Sequence, residues 1–151
     1  MQLHEFEVIK NGHVTDGEIA DLRESVHWDH QDGLYTKILA KSYTYYIIRD
    51  GACLVGFLSV ISDGVADALL VDLMVHPKYQ NQGIGTCLVQ QAINDLKEDG
   101  IPCIHVTFEE RLEKFYQRIG FHIFKGGIID FKHQCKIRYD HVSKGLREMQ
   151  C

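Results

Sequence analysis

Val71-Asp72-Leu73-Met74-Val75-His76-Pro77-Lys78-Tyr79-Gln80-Asn81-Gln82-Gly83-Ile84-Gly85-Thr86 is the stretch from which the rest of the chain can be read. It opens as an apolar run with the composition of a strand, and Pro77 stops it. A short polar loop follows, and the next helix is expected to begin at Gln82. A strand that feeds a glycine-containing turn at a helix N-terminus can hold an anion. The first-turn N–H groups have no intrahelical acceptor, and the helix dipole favours negative charge there. Two glycines let the backbone approach a phosphate with no Cβ in the way. No Lys-Ser/Thr pair follows the glycines, which excludes a Walker loop. A third glycine is missing, which excludes the dinucleotide fingerprint.

Upstream, Leu3, Phe6, Val8 and Ile9 suggest a first strand ended by Asn11-Gly12. Thr15-Asp-Gly-Glu18 is a capping box, and Ile19, Leu22 and Val26 follow at helical spacing. After the polar loop His27–Asp32, a second short helix carries Leu34, Ile38 and Leu39. Three strands come next, Tyr43–Arg49, Ala52–Ile61 and Ala66–His76. Asp50-Gly51 and Ser62-Asp-Gly64 are hairpin signals, so these strands should be antiparallel neighbours. Downstream, Ile84, Leu88, Ala92 and Leu96 mark a helix to Glu98, closed by Asp99-Gly100 and Pro102. Cys103–Phe108 is a strand, which completes a βαβ unit. Leu112, Phe115, Tyr116 and Ile119 define a helix over about Glu110–Ile119. Strands are expected at Phe121–Lys125, Ile128–Phe131 and Cys135–Tyr139. The order β-α-α-β-β-β-α-β-α-β, with further β after it, gives an α/β fold with a mixed sheet and helices on its faces.

The 151 residues suit one domain with a substantial core. A net charge of −5 without a Lys/Arg stripe speaks against nucleic acid as a partner. No run reaches the ~20 apolar residues that cross a bilayer, so no membrane partner is expected. Met1–Val8 has neither the basic start nor the apolar centre of a signal peptide. The five cysteines are scattered with no Cys-x-x-Cys pair, which suggests neither a disulfide framework nor a zinc site. His27 and His30 have helical i,i+3 spacing but no third ligand, so no metal is expected. The compartment expected on these grounds is the reducing cytoplasm.

Gln80-Asn-Gln-Gly83-Ile-Gly85 resembles the Gln/Arg-x-x-Gly-x-Gly/Ala motif of the GNAT superfamily of N-acetyltransferases. Phe115-Tyr-Gln-Arg-Ile-Gly-Phe121 resembles the family's Phe-Tyr-x-x-x-Gly-Phe segment, at about the family's separation from the first motif. The element order agrees too, over about residues 3–125. Val55-Gly-Phe57, the Ser-Asp-Gly turn and Tyr79-Gln80 are similar to the branch of plant-type serotonin N-acetyltransferases. The resemblance implies a single acetyltransferase domain over residues 1–151, with acetyl-coenzyme A as cosubstrate and a primary amine as acceptor. A small molecule is favoured, and direct attack in a ternary complex is implied, since no cysteine stands beside a recognisable base. Acetylation of a protein N-terminus or lysine is an alternative. A non-catalytic acyl-coenzyme A sensor is another, and a homodimer built on the segment after Gly127 is left open.

Amine acetylation needs a grip on the pyrophosphate, a donor to the thioester carbonyl, a base for the ammonium proton and an acid for the thiolate. An alkylamine near pKa 10 is only about 0.1% neutral at pH 7, so the base matters. By resemblance, the grip is Gln80, Asn81, Gln82, Gly83, Ile84, Gly85 and Thr86, acting through backbone amides. The carbonyl donor is a backbone N–H on Leu73-Met74-Val75, where the family's strand splays from its parallel neighbour. Tyr116 is the candidate acid, although its spacing with Leu112, Phe115 and Ile119 also fits a core residue. Asp72 is the candidate base or cation anchor, since a carboxylate inside an apolar run needs a purpose or a partner. Bonding to a neighbouring strand would also account for it. Trp28, with Tyr35 nearby, is a candidate wall for the amine, and a packed surface loop accounts for the same residues. Glu109-Glu-Arg-Leu112 stands where many family members have Asn-x-x-Ala, so that pantetheine contact is absent or replaced by Glu109. His76 and His105 lie by the expected cofactor strands.

Overall fold

The computed structural model describes residues 5–132 of the chain. Its elements are β1 (Ile9–Lys10), α1 (Asp16–Ser25), α2 (Tyr35–Lys41), β2 (Thr44–Asp50), β3 (Cys53–Ser62), β4 (Asp67–Val75), α3 (Ile84–Glu98), β5 (Cys103–Val106) and α4 (Glu113–Ile119). Short 3-10 turns at Pro77–Tyr79 and Glu110–Leu112 lead into α3 and α4. The strands form one sheet in the order β1-β2-β3-β4-β5. All neighbours are antiparallel except β4 and β5, which are joined through α3 and run parallel.

Two apolar cores flank the sheet. One gathers Tyr46, Ile48, Leu58, Val60 and Leu70 from the strands with Ile84, Leu88, Val89, Ala92 and Leu96 of α3, and reaches Tyr116 of α4. The other gathers Ile47, Phe57 and Met74 with Ile19 and Leu22 of α1 and Tyr35 of α2. The alternation of β2 and the i, i+4 stripe of α3 dictate this division. Gly56 decides how closely α3 lies on the sheet, because a Cβ there would meet Ile84 Cγ2 at 2.8 Å and Leu88 Cδ1 at 3.1 Å.

Local signals set the element ends. Thr15 Oγ1 accepts the Glu18 N–H and the Glu18 carboxylate accepts the Thr15 N–H, completing the expected capping box on α1. Arg49 of β2 pairs with the same Glu18 at 2.7 Å, tying α1 to the sheet. The Arg49 bond, and then the Thr15 amide, hold the Glu18 carboxyl at about 2.

Three expectations change. The first strand is only Ile9–Lys10, with Phe6 and Val8 packed on the α3-side core, and residues 1–4 lie outside the described residues. The helix after the glycine turn starts at Ile84, two residues later than expected, because Gly83 is its left-handed N-cap. Phe121–Lys125 and Ile128–Phe131 are not strands. The Phe121 N–H is bonded to Tyr116 O as part of the α4 terminus, and no described strand pairs with the outer edge of β5. Without a ladder partner most β-prone side chains of these runs stay outside the core, Phe124 and Phe131 each at 89% exposure, and only Phe121 at the end of α4 packs on it. The expected strand Cys135–Tyr139 lies outside the described residues. No described helix is long and apolar enough to cross a membrane.

Candidate active site

The parallel pairing of β4 and β5 begins at Asp67↔Cys103 and ends at Leu70↔Val106. Beyond that point β4 continues to Val75 with no partner on that side among the described residues. The pairing of β4 with β3 is unbroken except at one place: Phe57 opposes Met74 and Ser59 opposes Val71, so Asp72 and Leu73 together face Leu58. This is a β-bulge, and Asp72 sits in it at φ +56°. The core confirms the slip of one residue. Ala68 and Leu70 face α3, and so do Leu73 and Val75, whereas Met74 faces α1 and α2. An unbroken strand would have put Leu70, Asp72 and Met74 on one face. The bulge instead aims Asp72 towards Tyr35 of α2.

The open edge of β4 carries a free donor. His76 donates its N–H to Val55 O at 2.9 Å, so alternation turns the Val75 N–H and C=O away from β3 and out of the sheet. The Val75 carbonyl on that edge accepts from Gln80 Nε2 at 3.1 Å. No protein acceptor takes the Val75 N–H among the described residues. Alternation directs the Met74 N–H to β3 instead. Met74 therefore belongs to the body of the strand, with its side chain in the core.

Across from this edge stands the start of α3. Its first intrahelical bond is Cys87 N–H to Gly83 O at 2.9 Å, which leaves the amides of Ile84, Gly85 and Thr86 without protein acceptors among the described residues. Gly83 holds φ +86°, and its missing side chain supplies no cap. The contrast with α1 is instructive. There Thr15, Asp16 and Glu18 satisfy or neutralise the helix start, whereas the first turn of α3 has no acidic residue. A bare, glycine-capped, acid-free N-terminus is arranged for an anion from outside. Gln80 is spent on Val75 and Gln82 on Lys78 O, so the side chains of this loop brace the backbone. Gln82 is the one predicted loop residue that does not line the cleft.

Edge and helix start are two walls of a cleft of about 1250 Å³. The 3-10 turn and α4 supply the third wall. Tyr116 is almost fully buried, stacked on Phe108 at 4.6 Å between ring centroids and met edge-on by Phe115 and Phe121. Its hydroxyl bonds to no other described residue, and burial pushes the phenol up to about 12. The ring of Tyr116 belongs to the core and also lines the cleft. Glu109 is paired with Arg111 at 2.7 Å on the cleft wall. Arg118 lines the cleft with no carboxylate partner among the described residues.

Val26, Trp28 and Asp72 line the cleft at its α1 end. Tyr35, expected beside Trp28 as part of the wall, lies behind it instead. It is buried, and its hydroxyl donates to Asp72 Oδ2 at 2.9 Å while accepting from Arg23 Nη1 at 2.9 Å. Burial, and then the charge of Asp72, push the Tyr35 phenol well above its ordinary range. The Arg23 guanidinium lies 5.2 Å from the Trp28 ring centre and 4.0 Å from Asp72 Oδ1, and it donates through Nε to Asp29 O. Arg23 thus fixes both the tryptophan and the tyrosine–aspartate pair. It was missed in the sequence because its partners lie on other elements and no local spacing announces them. His76 accepts the Lys78 N–H and braces the loop turn. His105 stands opposite Leu69, one pair before the end of the β4–β5 ladder, and turns its ring back to Asp67, away from the cleft.

Residues 41–123 match the acetyltransferase (GNAT) domain model, a span that includes the open edge, the glycine turn and α4. An uncharacterized N-acetyltransferase of Gracilaria tenuistipitata is 28% identical over 116 residues, covering 74% of this chain and 64% of that protein. A chloroplastic serotonin N-acetyltransferase of rice is 33% identical over 67 residues, 44% of this chain and 34% of its own length. This chain therefore spans less than two thirds of the curated relatives it matches. A solved GNAT-family acetyltransferase of Streptococcus pneumoniae superposes with a TM-score of 0.69 at 27% identity, over 83% of this chain and 97% of that one.

Proposed function

Because the chain belongs to the GNAT acetyltransferase family, we propose that it moves an acetyl group from acetyl-coenzyme A to a small primary amine by direct attack. One observation carries this reading. The unpaired edge of β4, with the Val75 N–H turned outward, faces the bare amides of α3 across the same cleft that Tyr116 and Asp72 line. An extended thioester arm can run along the β4 edge as an added strand would, with its pyrophosphate on the amides of Ile84, Gly85 and Thr86.

Each group then has a task. The Val75 N–H, fixed by the sheet, donates to the carbonyl oxygen as charge develops there. Asp72, held by the Tyr35 hydroxyl, anchors the incoming ammonium and takes its proton. Tyr116 donates its hydroxyl proton towards the departing sulfur. Trp28 offers an aromatic face beside Asp72, which suits a single cationic or aryl-bearing amine. The name of the rice relative supports an arylalkylamine within that class.

The test is thiol release from acetyl-coenzyme A against arylalkylamines, polyamines, aminosugars and lysine peptides. Turnover confined to one small-amine class is the expected result. Turnover with lysine peptides alone would reassign the acceptor, and coenzyme binding without turnover on any acceptor would overturn the enzymatic reading.

A further inference from the structure

At the end of the β4–β5 pair away from the cleft, three chemically different donors converge. Asp67 and Cys103 are register partners on the parallel strands, and Cys103 and His105 lie two residues apart on β5, hence on one face. His105 Nε2 lies 2.9 Å from Asp67 Oδ1 and 3.4 Å from Cys103 Sγ. All three donor atoms lie within 4.8 Å of one another and are exposed.

One imidazole nitrogen serves both neighbours only poorly as a hydrogen-bonding group. If Nε2 carries a proton it donates to the carboxylate, and the sulfur is left as a weak second acceptor of the same N–H. If it does not, it faces the carboxylate lone pair to lone pair. Three lone-pair-bearing atoms around one point suit a cation better than a proton. We propose that Asp67, Cys103 and His105 form a zinc site that clamps β4 to β5.

The geometry is close to what zinc requires. Ligand bonds of about 2.3 Å to sulfur and about 2.0–2.1 Å to nitrogen and oxygen in a tetrahedron put S and N about 3.5 Å apart, and N and O about 3.3 Å apart. The S–N separation is already right, and the N–O separation needs to open by only a few tenths of an ångström. Thiolate, imidazole and carboxylate together select zinc over the hard cations, and three protein ligands leave the fourth position to water. The ligands are held firmly. Two stand on β5, and the turn before Asp67 is tied by Asp63 Oδ1, which accepts the N–H groups of Val65, Ala66 and Asp67. The sequence conceals the site, because Asp67 comes from a different strand and Cys-x-His alone is no zinc signature.

The test is titration of the untagged full chain with Co²⁺ as a spectroscopic probe, then Zn²⁺ competition and thermal melting with and without Zn²⁺. One equivalent of Co²⁺ should give tetrahedral visible bands and a near-ultraviolet thiolate-to-cobalt band, both erased by Zn²⁺. Cys103→Ser should lose the thiolate band, and His105→Ala should bind at least about tenfold more weakly. Zn²⁺ should raise the melting midpoint of the parent chain and leave that of Cys103→Ser unchanged. Because the three side chains are exposed, both variants should fold, which circular dichroism checks. No thiolate band in a tenfold excess of Co²⁺ would overturn the proposal. Persistence of the band in Cys103→Ser would also overturn it, by assigning the thiolate to another cysteine.

Discussion

Replacing Tyr116 by Phe removes one oxygen and leaves the ring, so its contacts with Phe108, Phe115 and Phe121 survive. The hydroxyl has no partner among the described residues, so no intramolecular hydrogen bond is lost and the melting temperature should stay level or rise slightly. The size of the effect on turnover follows from the phenol's environment. Burial raises it to about 12, whereas an ordinary thiol titrates near 8.5. Full proton transfer to a solvated thiolate would be uphill by about 3.5 pH units, or about 5 kcal/mol. The same dry wall raises the thiol as well, which narrows the gap without closing it. Tyr116 is therefore expected to work mainly as a charge-assisted hydrogen-bond donor to the sulfur, worth about 1.5–3 kcal/mol. That corresponds to a loss of about 10- to 150-fold in kcat. The assay is thiol release under saturating acetyl-coenzyme A and the best amine of the panel, with a thermal melt of the same samples. A fall of less than about threefold with an unchanged melt would refute the reasoning and leave Tyr116 as a wall of the cleft.

Gly83→Ala should weaken acetyl-coenzyme A binding, because φ +86° costs a residue with a Cβ about 1–2 kcal/mol, although nothing lies within 4 Å of the added atom. Titration of coenzyme A should show it as affinity lost by about 5- to 30-fold if the helix start relaxes to avoid the strain. Tyr35→Phe should lower kcat/KM for the amine at least about tenfold while leaving coenzyme A affinity unchanged, since it removes the hydroxyl that orients Asp72. Equal losses for both substrates would mean that α2 has shifted. Glu18 should govern part of the acid stability. Its folded carboxyl lies at about 2, below the ordinary 4.5, so its contribution is complete above about 4.5 and is lost as the pH falls towards 2. Glu18→Gln should cost about 1–2 kcal/mol near neutrality and flatten the acid limb of a pH–stability curve, measured by urea unfolding.

Most of the scaffold could be read from local patterns because local forces set it. The capping box of α1, the hairpin turns at Asp50-Gly51 and Ser62-Asp-Gly64, and the i, i+4 stripe of α3 each act within a few residues. The expected strands after α4 fail for the opposite reason. Ile-rich runs have strand propensity, but a strand needs a ladder, and whether an edge is available is not written in the run itself. The site divides in the same way. Asp72 could be singled out because a carboxylate is unusual inside an apolar run, and the glycines and Tyr116 because they fall in the two motifs that resemble the family's. Tyr35 was expected on the cleft wall and stands behind it, and Arg23 was not foreseen at all, because both are placed by contacts between α1, α2 and β4.

The least legible feature, the bulge at Asp72, is also the one that joins the two halves of the site. A strand of unbroken alternation would keep Leu70, Asp72 and Met74 on one face, so it could not leave Leu70 in the α3-side core and turn both Asp72 and Met74 to the α1–α2 side. Inserting one residue reverses the faces from Asp72 onward. The carboxylate then meets Tyr35 and Arg23, while Leu73 and Val75 pass to the cofactor side. The same distortion falls two residues after the last β4–β5 pair, where the sheet stops supplying β4 with a partner. An aspartate in the left-handed region costs less than most residues would, since its short polar side chain tolerates that conformation, but it is not free. That strain is held in place by the Tyr35 hydrogen bond on one side and the Met74 anchor on the other. The proposed base and the proposed carbonyl donor are therefore not two separately positioned parts. They are consequences of a single irregularity in β4, so substitutions that let the strand regularise should lose the acceptor and the donor geometry together.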